Sequence, residues 1–490
     1  MKNLTTLFIA LITIHFTACQ PKTAEKQEVI SLHPENPNYF LYKGKPTILV
    51  TSAEHYGAVM NADFNYEKYL STLKNDGLNY TRIFLGPYSE IGDNLFGIRN
   101  NTMNPKPESW LTPWVKDTVS NKYDLTKWND DFFTRIQAFV AKASENDIVV
   151  EVTLFTSYYT DAQWSTSPFN PKNNIQEFDS IHFKQVNTTG NGQLMDIQEA
   201  YVRKVVRELN GYGNITFEIQ NEPWADNPYL VEEITETDTA THPFSWQKIV
   251  EIANTQSLDW QKNIAAIITD EEKHLPNKHM IAQNISNFRY KIENPDPNIS
   301  IFNFHYAYPV AASENLDLNK VIGLDETGFM PPVDKLYRSQ AWKFMLAGGA
   351  IYNNLDYTFT VGSEDGTHAI EEGTPGFGGV EFRRHLKIMK DFIESFEFIK
   401  MKPDNSIVQV IRGEVAEFQV LAEPGRQYAI YFDKPVGAAI ELKIPDGEYR
   451  TEWINPDSGI LEAGTKMKAT GGMLEINCPN GEDFVLKVRL

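Results

Sequence analysis

The feature that most constrains this chain is a rhythm. Eight short apolar runs, at 47–51, 78–84, 148–154, 215–220, 279–284, 299–304, 320–326 and 350–357, alternate with amphipathic or long polar stretches. Runs of this length, rich in β-branched and aromatic residues, read as buried strands. Between them, apolar residues recur every three or four positions, as on one face of a helix, over 64–75, 125–146, 197–209, 258–274, 335–346 and 381–396. In the second of these, Trp128, Phe132, Ile136, Phe139 and Val140 share a face, and Gly77 and Gly211 supply C-terminal stops elsewhere. Eight buried strands with mostly helical links predict an α/β fold, a parallel (β/α)8 TIM barrel. The link between the fifth and sixth runs is short. A doubly wound open sheet is the alternative, but no Gly-rich phosphate loop follows the first run.

The flanks differ in texture. Residues 1–19 have a charged start, a short apolar region and small residues before Cys19, the pattern of a secretion signal. The apolar region is too short and too interrupted for a stable membrane span. Residues 20–28 read as a flexible tether. A hairpin is expected where Lys43-Gly44-Lys45-Pro46 follows Tyr39–Tyr42, so that 29–400 forms a barrel with an N-terminal β-hairpin. From 402 to 490 the period shortens to two, with turns at Glu423-Pro-Gly425, Asp433-Lys-Pro435 and Pro445-Asp-Gly447, predicting a small all-β sandwich. A chain of 490 residues is long enough for two or three such units. The net charge of −20 excludes nucleic acid as a partner, since no basic stripe exists to neutralise phosphates. It disfavours strongly anionic polymers for the same reason.

Chemistry concentrates where two of the runs stop. The fourth ends in Asn221-Glu222-Pro223, with Pro223 barring continuation, and the seventh ends in Glu326. In a (β/α)8 barrel the site lies where the C-terminal ends of the strands meet. Two glutamates on the fourth and seventh strands face one another across that mouth, a placement suited to paired-carboxylate catalysis. Asp325 precedes Glu326 and, by strand alternation, is expected to point away from the pocket. His55 and Tyr56, just past the first run, are candidates to line the cleft at that mouth, as are the tryptophans of the long loops, Trp110, Trp114, Trp164 and Trp224.

Asn221-Glu222-Pro223 after strand four, together with Glu326 after strand seven, resembles clan A of the glycoside hydrolases, the cellulase-like TIM-barrel enzymes, over roughly residues 45–400. The resemblance implies a retaining β-glycosidase acting on plant or algal poly- or oligosaccharides, without a cofactor or metal. Glu222 would be its general acid/base and Glu326 its nucleophile. Asn221 resembles the asparagine that binds the sugar 2-hydroxyl, Arg82 the arginine that supports the nucleophile, and His305 the strand-six histidine. Two departures stand out. Ala307 occupies the place of a tyrosine, leaving Tyr306 or Tyr308 to replace it, and Tyr357 with Phe359 stands where a strand-eight tryptophan forms a sugar platform. Retaining chemistry needs the carboxyls roughly 5–5.5 Å apart, with the acid's pKa raised by burial and mutual repulsion.

The tail around Trp453 resembles the structural β-sandwich that often ends such enzymes, and Thr17-Ala18-Cys19 resembles a bacterial lipobox. The latter implies a lipid anchor on Cys19, the only contact with membrane, and a place in the cell envelope facing the periplasm or the exterior. It would leave Cys478 unpaired. No His-x-His, Gly-x-Ser-x-Gly or P-loop occurs to suggest metal, serine-hydrolase or nucleotide chemistry. The alternative outside catalysis is a barrel retired into a glycan-binding surface lipoprotein.

Overall fold

The computed structural model describes residues 28–91, 94, 96–234, 243–460 and 464–490. The signal segment, Cys19 and residues 20–27 of the tether lie outside the described residues. None of the described helices is long and apolar enough to cross a membrane.

The barrel strands are β1 (Leu49–Ala53), β2 (Tyr80–Phe84), β3 (Val149–Thr156), β4 (Ile215–Asn221), β5 (Ile281–Asn287), β6 (Ile299–His305), β7 (Val321–Glu326) and β8 (Ile351–Leu355). They pair in parallel in the order β1-β8-β7-β6-β5-β4-β3-β2. The final seam, between β1 and β2, is crossed by two backbone hydrogen bonds, Asn79 N to the Val50 carbonyl at 3.3 Å and Phe84 N to the Tyr56 carbonyl at 3.0 Å, and is bridged by one side chain. Asn79 Nδ2 donates to the Ile48 carbonyl at 2.8 Å and its Oδ1 accepts from Val50 N at 2.9 Å. An amide side chain thus stands in for part of a strand ladder.

The main helices are α1 (Tyr66–Asn75), α2 (Asp130–Glu145), α3 (Leu194–Leu209), α4 (Thr255–Glu272), α5 (Pro309–Ser313), α6 (Asp334–Leu346) and α7 (Val380–Glu394). They pack their apolar faces on the strands, burying for example Tyr69, Leu70 and Leu73 of α1. As the short link suggested, residues 288–298 between β5 and β6 form no helix.

The structure corrects the reading of 125–146. Tyr123–Trp128 is a strand, antiparallel to Trp114–Lys116, and α2 starts only at Asp130. Asn129 caps that helix by accepting from Asp131 N, so the helical periodicity ends there and Trp128 packs on Trp114 instead. A second element absent from the sequence reading is a hairpin in the loop after β4, Pro228–Glu233 against Ile249–Ala253, whose second strand touches β5 at Ser286.

At the N-terminus, Ser31–Leu32, Phe40–Tyr42 and Lys45–Thr47 form a three-stranded sheet. After the barrel, antiparallel sheets of six and three strands enclose a separate core around Tyr428, Ile430, Ile440 and Leu486, as a β-sandwich does. The sandwich is fastened to α6. Arg338 makes two hydrogen bonds of 3.0 Å to Asp483, and Trp342 stacks on Tyr431.

Candidate active site

Each strand delivers its functional residue at its C-terminal end, and six of these ends carry the same backbone signature. Tyr56, Tyr159, Glu222, Phe288, Tyr306 and Phe329, following β1, β3, β4, β5, β6 and β7, all adopt positive φ between 47° and 68°. Such a conformation is unfavourable for side chains this large, and it concentrates where surrounding structure over-determines it. Here it turns a polar or aromatic group back over the barrel mouth, around a cavity of about 250 Å³.

Glu222 and Glu326 meet in this cavity. One carboxylate oxygen of each lies within 4.8 Å of the other and of a ring nitrogen of His305. His305 Nδ1 is 2.8 Å from Glu222 Oε1 and 3.5 Å from Glu326 Oε1, a clasp between the two. Burial alone would lower the His305 pKa, but the charges of Glu326 and Asp325 hold it well above its ordinary value. The ring therefore supplies a cation. Glu326 receives two tyrosine hydroxyls, Tyr306 at 2.9 Å on Oε1 and Tyr56 at 3.1 Å on Oε2. Arg82 Nη1 approaches Oε2 at 3.4 Å. Tyr306 thus makes the bond that the departure at Ala307 left open. Burial raises the Glu326 pKa, His305 opposes this, and the Glu222 charge adds to it.

Beneath this pair lies a fully buried charge network. Arg82 donates through Nε to Glu218 Oε2 at 2.9 Å and through Nη2 to Asn221 Oδ1 at 2.8 Å. Its Nε also stands 3.3 Å from Asp325 and 3.7 Å from Glu151. Burial pushes Glu218 up to about 7, and burial with the neighbouring carboxylates pushes Glu151 well above its ordinary value. Burial would raise Asp325 too, but Arg82 and His305 bring it down to about 2. Asn303 donates to both Glu151 and Glu218, filling the space above Gly323, where a Cβ would come within 2.3 Å of its Oδ1.

Asp325 does not point away. Strand pairing passes from Phe304↔Leu324 directly to His305↔Glu326, and this irregularity breaks the alternation so that both carboxylates face inward. Asp325 lies 3.4 Å from His305 Nε2, on the far side of the ring from Glu222.

The other expected residues divide. Asn221, His55, Tyr306 and Trp224 line the cavity with the two glutamates. Arg82 and His305 are 0 % exposed, below its floor. Tyr357 packs edge-on against His55 instead of lining the cavity. Trp110, Trp114 and Trp164 also lie off the cavity: Trp114 packs against Trp128, and Trp164 donates to the Ile181 carbonyl. Sequence reasoning missed much of the real wall, which includes Tyr88, Glu90, Tyr159, Trp246, Glu251, Asn287 and Phe329. The paired aromatics at Tyr158-Tyr159, directly after β3, were a usable signal. Trp246 and Glu251 sit on the inserted hairpin segment and gave none.

Among the described residues two groups have the spacing to hold a metal ion: Glu222, His305 and Glu326, and Glu151, Glu218 and Asp325. In the second, Arg82 already supplies the cation. In the first, His305 Nδ1 is engaged by Glu222 at 2.8 Å.

No family model matches the chain. No curated protein matches it. Solved structures do. One described as a glycoside hydrolase aligns with a TM-score of 0.60 at 13% identity, over 94% of this chain and 97% of that one. A glycoside hydrolase family 5 protein from Bacteroides vulgatus aligns with a TM-score of 0.60 at 12% identity, covering 94% and 93%. A putative glycoside hydrolase from the same organism gives 0.63 at 12%, covering 96% and 84%. The chain has the fold of these glycoside hydrolases. At such identity the likeness is one of architecture, barrel and trailing sheets together, and the chemistry must be argued from the residues.

Proposed function

We propose that this chain is a retaining β-glycoside hydrolase in which Glu326 attacks the anomeric carbon and Glu222 serves as general acid and then general base. The observation that carries the reading is the approach of the two carboxylates to within 4.8 Å. That matches the roughly 5–5.5 Å of double displacement and leaves no room for the water that an inverting enzyme places across roughly 6.5–9.5 Å. The donors on Glu326 suit a nucleophile that must ionise despite burial, and His305 neutralises part of the charge the pair shares. Glu222 protonates the departing oxygen as Glu326 bonds to C1. It then takes a proton from water as that bond is cleaved.

The lining also speaks to the substrate class. Four carboxylates, Glu90, Glu222, Glu251 and Glu326, face the cavity, and among the described residues that line it none is a lysine or arginine. His55 is engaged by Glu90 at 3.3 Å. Uronate or sulfated sugars would meet an excess of negative charge there, which favours an uncharged sugar in this subsite. Aromatic faces at Trp224, Trp246 and Phe329 suit its apolar ring surfaces. The secretion-signal pattern of residues 1–19 and the lipobox resemblance of Thr17-Ala18-Cys19 support a place in the cell envelope with a tether on Cys19.

Hydrolysis of aryl β-glycosides and neutral β-glycans by wild type and Glu326→Gln tests this. Turnover should fall by several orders of magnitude in the variant while binding persists, and products should keep the β-configuration by NMR. Glycan binding without wild-type hydrolysis would instead establish a non-catalytic binder.

A further inference from the structure

The loop after β3 carries a hydroxyl that the mechanism above does not use. Tyr159 OH donates to Glu222 Oε2 at 2.8 Å and accepts from Asn221 Nδ2 at 2.9 Å. The direction is fixed. Asn221 Oδ1 is taken by Arg82 Nη2 at 2.8 Å, so the amide must present its N–H to Tyr159. A phenol has one proton, and with its lone pair engaged by Asn221 that proton points at Oε2. Oε1 faces His305 Nδ1 at 2.8 Å.

We propose that Tyr159 is a positioning residue that holds the Glu222 carboxyl in place for proton transfer through its bond to Oε2, and that Asp226 locks Tyr159 in place. On leaving-group departure the proton passes from Glu222 to the glycosidic oxygen. The electron pair of the broken C–O bond stays on that oxygen, and C1 bonds to Glu326. Asp226 follows Glu222 by four residues on a single helical turn, Pro223–Asp226, and is 1% exposed. Its two oxygens accept from Tyr158 N at 2.7 Å and Tyr159 N at 2.8 Å. Ser157 N donates to the Asn221 carbonyl at 3.1 Å, and Ser157 Oγ to the Glu222 carbonyl at 2.7 Å. The loops after β3 and β4 are thereby fastened at four points, which sustains the left-handed backbone of both Tyr159 and Glu222. Nothing in this arrangement needs Tyr159 for packing alone, since its ring contacts, Tyr88 at 6.2 Å and Phe96 at 5.1 Å between centroids, are available to phenylalanine.

This inference rests on Glu222 being the acid/base. Among the described residues the charged and titratable groups facing Glu222 are Tyr159, His305, Glu326, Tyr88 and Tyr306, with Arg82 behind Asn221. Removing the donor at Oε2 disfavours the carboxylate and loosens the orientation of the acid. For Tyr159→Phe, kcat/KM should fall about 10- to 100-fold with methyl or 4-methylphenyl β-glycosides, which need acid assistance. It should change less than about threefold with 2,4-dinitrophenyl glycosides, which do not. The basic limb of the kcat/KM–pH profile should move to higher pH. Asp226→Asn, with Tyr159 intact, should shift both readouts in the same direction by less.

Equal losses on both substrate classes with an unmoved basic limb, in a variant that melts like wild type, would overturn the role of Tyr159. A wild type that cleaves neither class would overturn the parent reading, and is told apart because the first result requires an active wild type.

Discussion

Replacing Tyr306 by phenylalanine separates the two halves of the proposed reaction. The hydroxyl donates to Glu326 Oε1 at 2.9 Å, and among the described residues the next donor to that oxygen is His305 at 3.5 Å. Oε2 keeps Tyr56 and Arg82. The substitution therefore strips one oxygen of its short donor, a hydrogen bond to a charged group worth about 1.5–3 kcal/mol. In the first step the Glu326 charge is consumed, so its ground state loses stabilisation that the transition state needs less. In the second, Glu326 is the leaving group and the charge returns. If about half has returned at the transition state, ~1 kcal/mol or slightly more is forfeited there, about a 5- to 10-fold drop in that step.

With 2,4-dinitrophenyl glycosides, where the second step limits, kcat should fall by about that factor, KM should fall with it, and a pre-steady-state burst should sharpen. Because Tyr306 lowers the Glu326 pKa, its loss should also move the acidic limb of kcat/KM to higher pH. An unchanged kcat with an unmoved acidic limb would refute the assignment of Glu326 as nucleophile supported by Tyr306.

Further outcomes follow from the buried charges. Burial raises Glu54, Glu218 and Asp226 each to about 7. The unfolded chain ionises these groups near their ordinary values while the fold keeps them protonated, so stability is fullest at or below about pH 4.5 and is lost as pH rises to about 7. Unfolding by urea should give higher stability at pH 5 than at pH 8, and Glu54→Gln should flatten the slope between pH 5 and 7 by up to ~1.4 kcal/mol per pH unit. Asp325, held at about 2, acts oppositely: its contribution is present above about pH 4 and is lost as pH falls through 2. Arg338→Ala strips Asp483 of two guanidinium hydrogen bonds, leaving it Lys335 at 3.4 Å and the Tyr431 hydroxyl at 3.1 Å, and should destabilise the chain by about 1.5–3 kcal/mol, read as a drop in the thermal midpoint without a change in KM.

The architecture was legible because barrel strands buried on both faces must be apolar along their length. The chain therefore declares them as runs, and a polar residue ending a run declares the mouth. Glu222 and Glu326 were visible in that way, as was the sandwich through its period of two. The sequence had no means to show the pairing irregularity that turns Asp325 inward, because that depends on how β6 and β7 align. Nor could it separate Trp246, which lines the cavity, from Trp114, which does not, since both sit in long loops and differ only in what folds over them. The strand at 123–128 was masked because its apolar residues also fit a helical spacing, and the cap at Asn129 decided the boundary.

By itself the sequence determined which side chains stand at strand ends, since period and polarity are local properties of the chain. Tertiary structure alone decided which of them come within hydrogen-bonding reach of one another. That turns on distances of a few ångströms between strands, set by barrel closure, by the His305 clasp and by the Asp226 clamp. Hydrogen bonding and Coulomb energies in a dry interior change steeply over such distances.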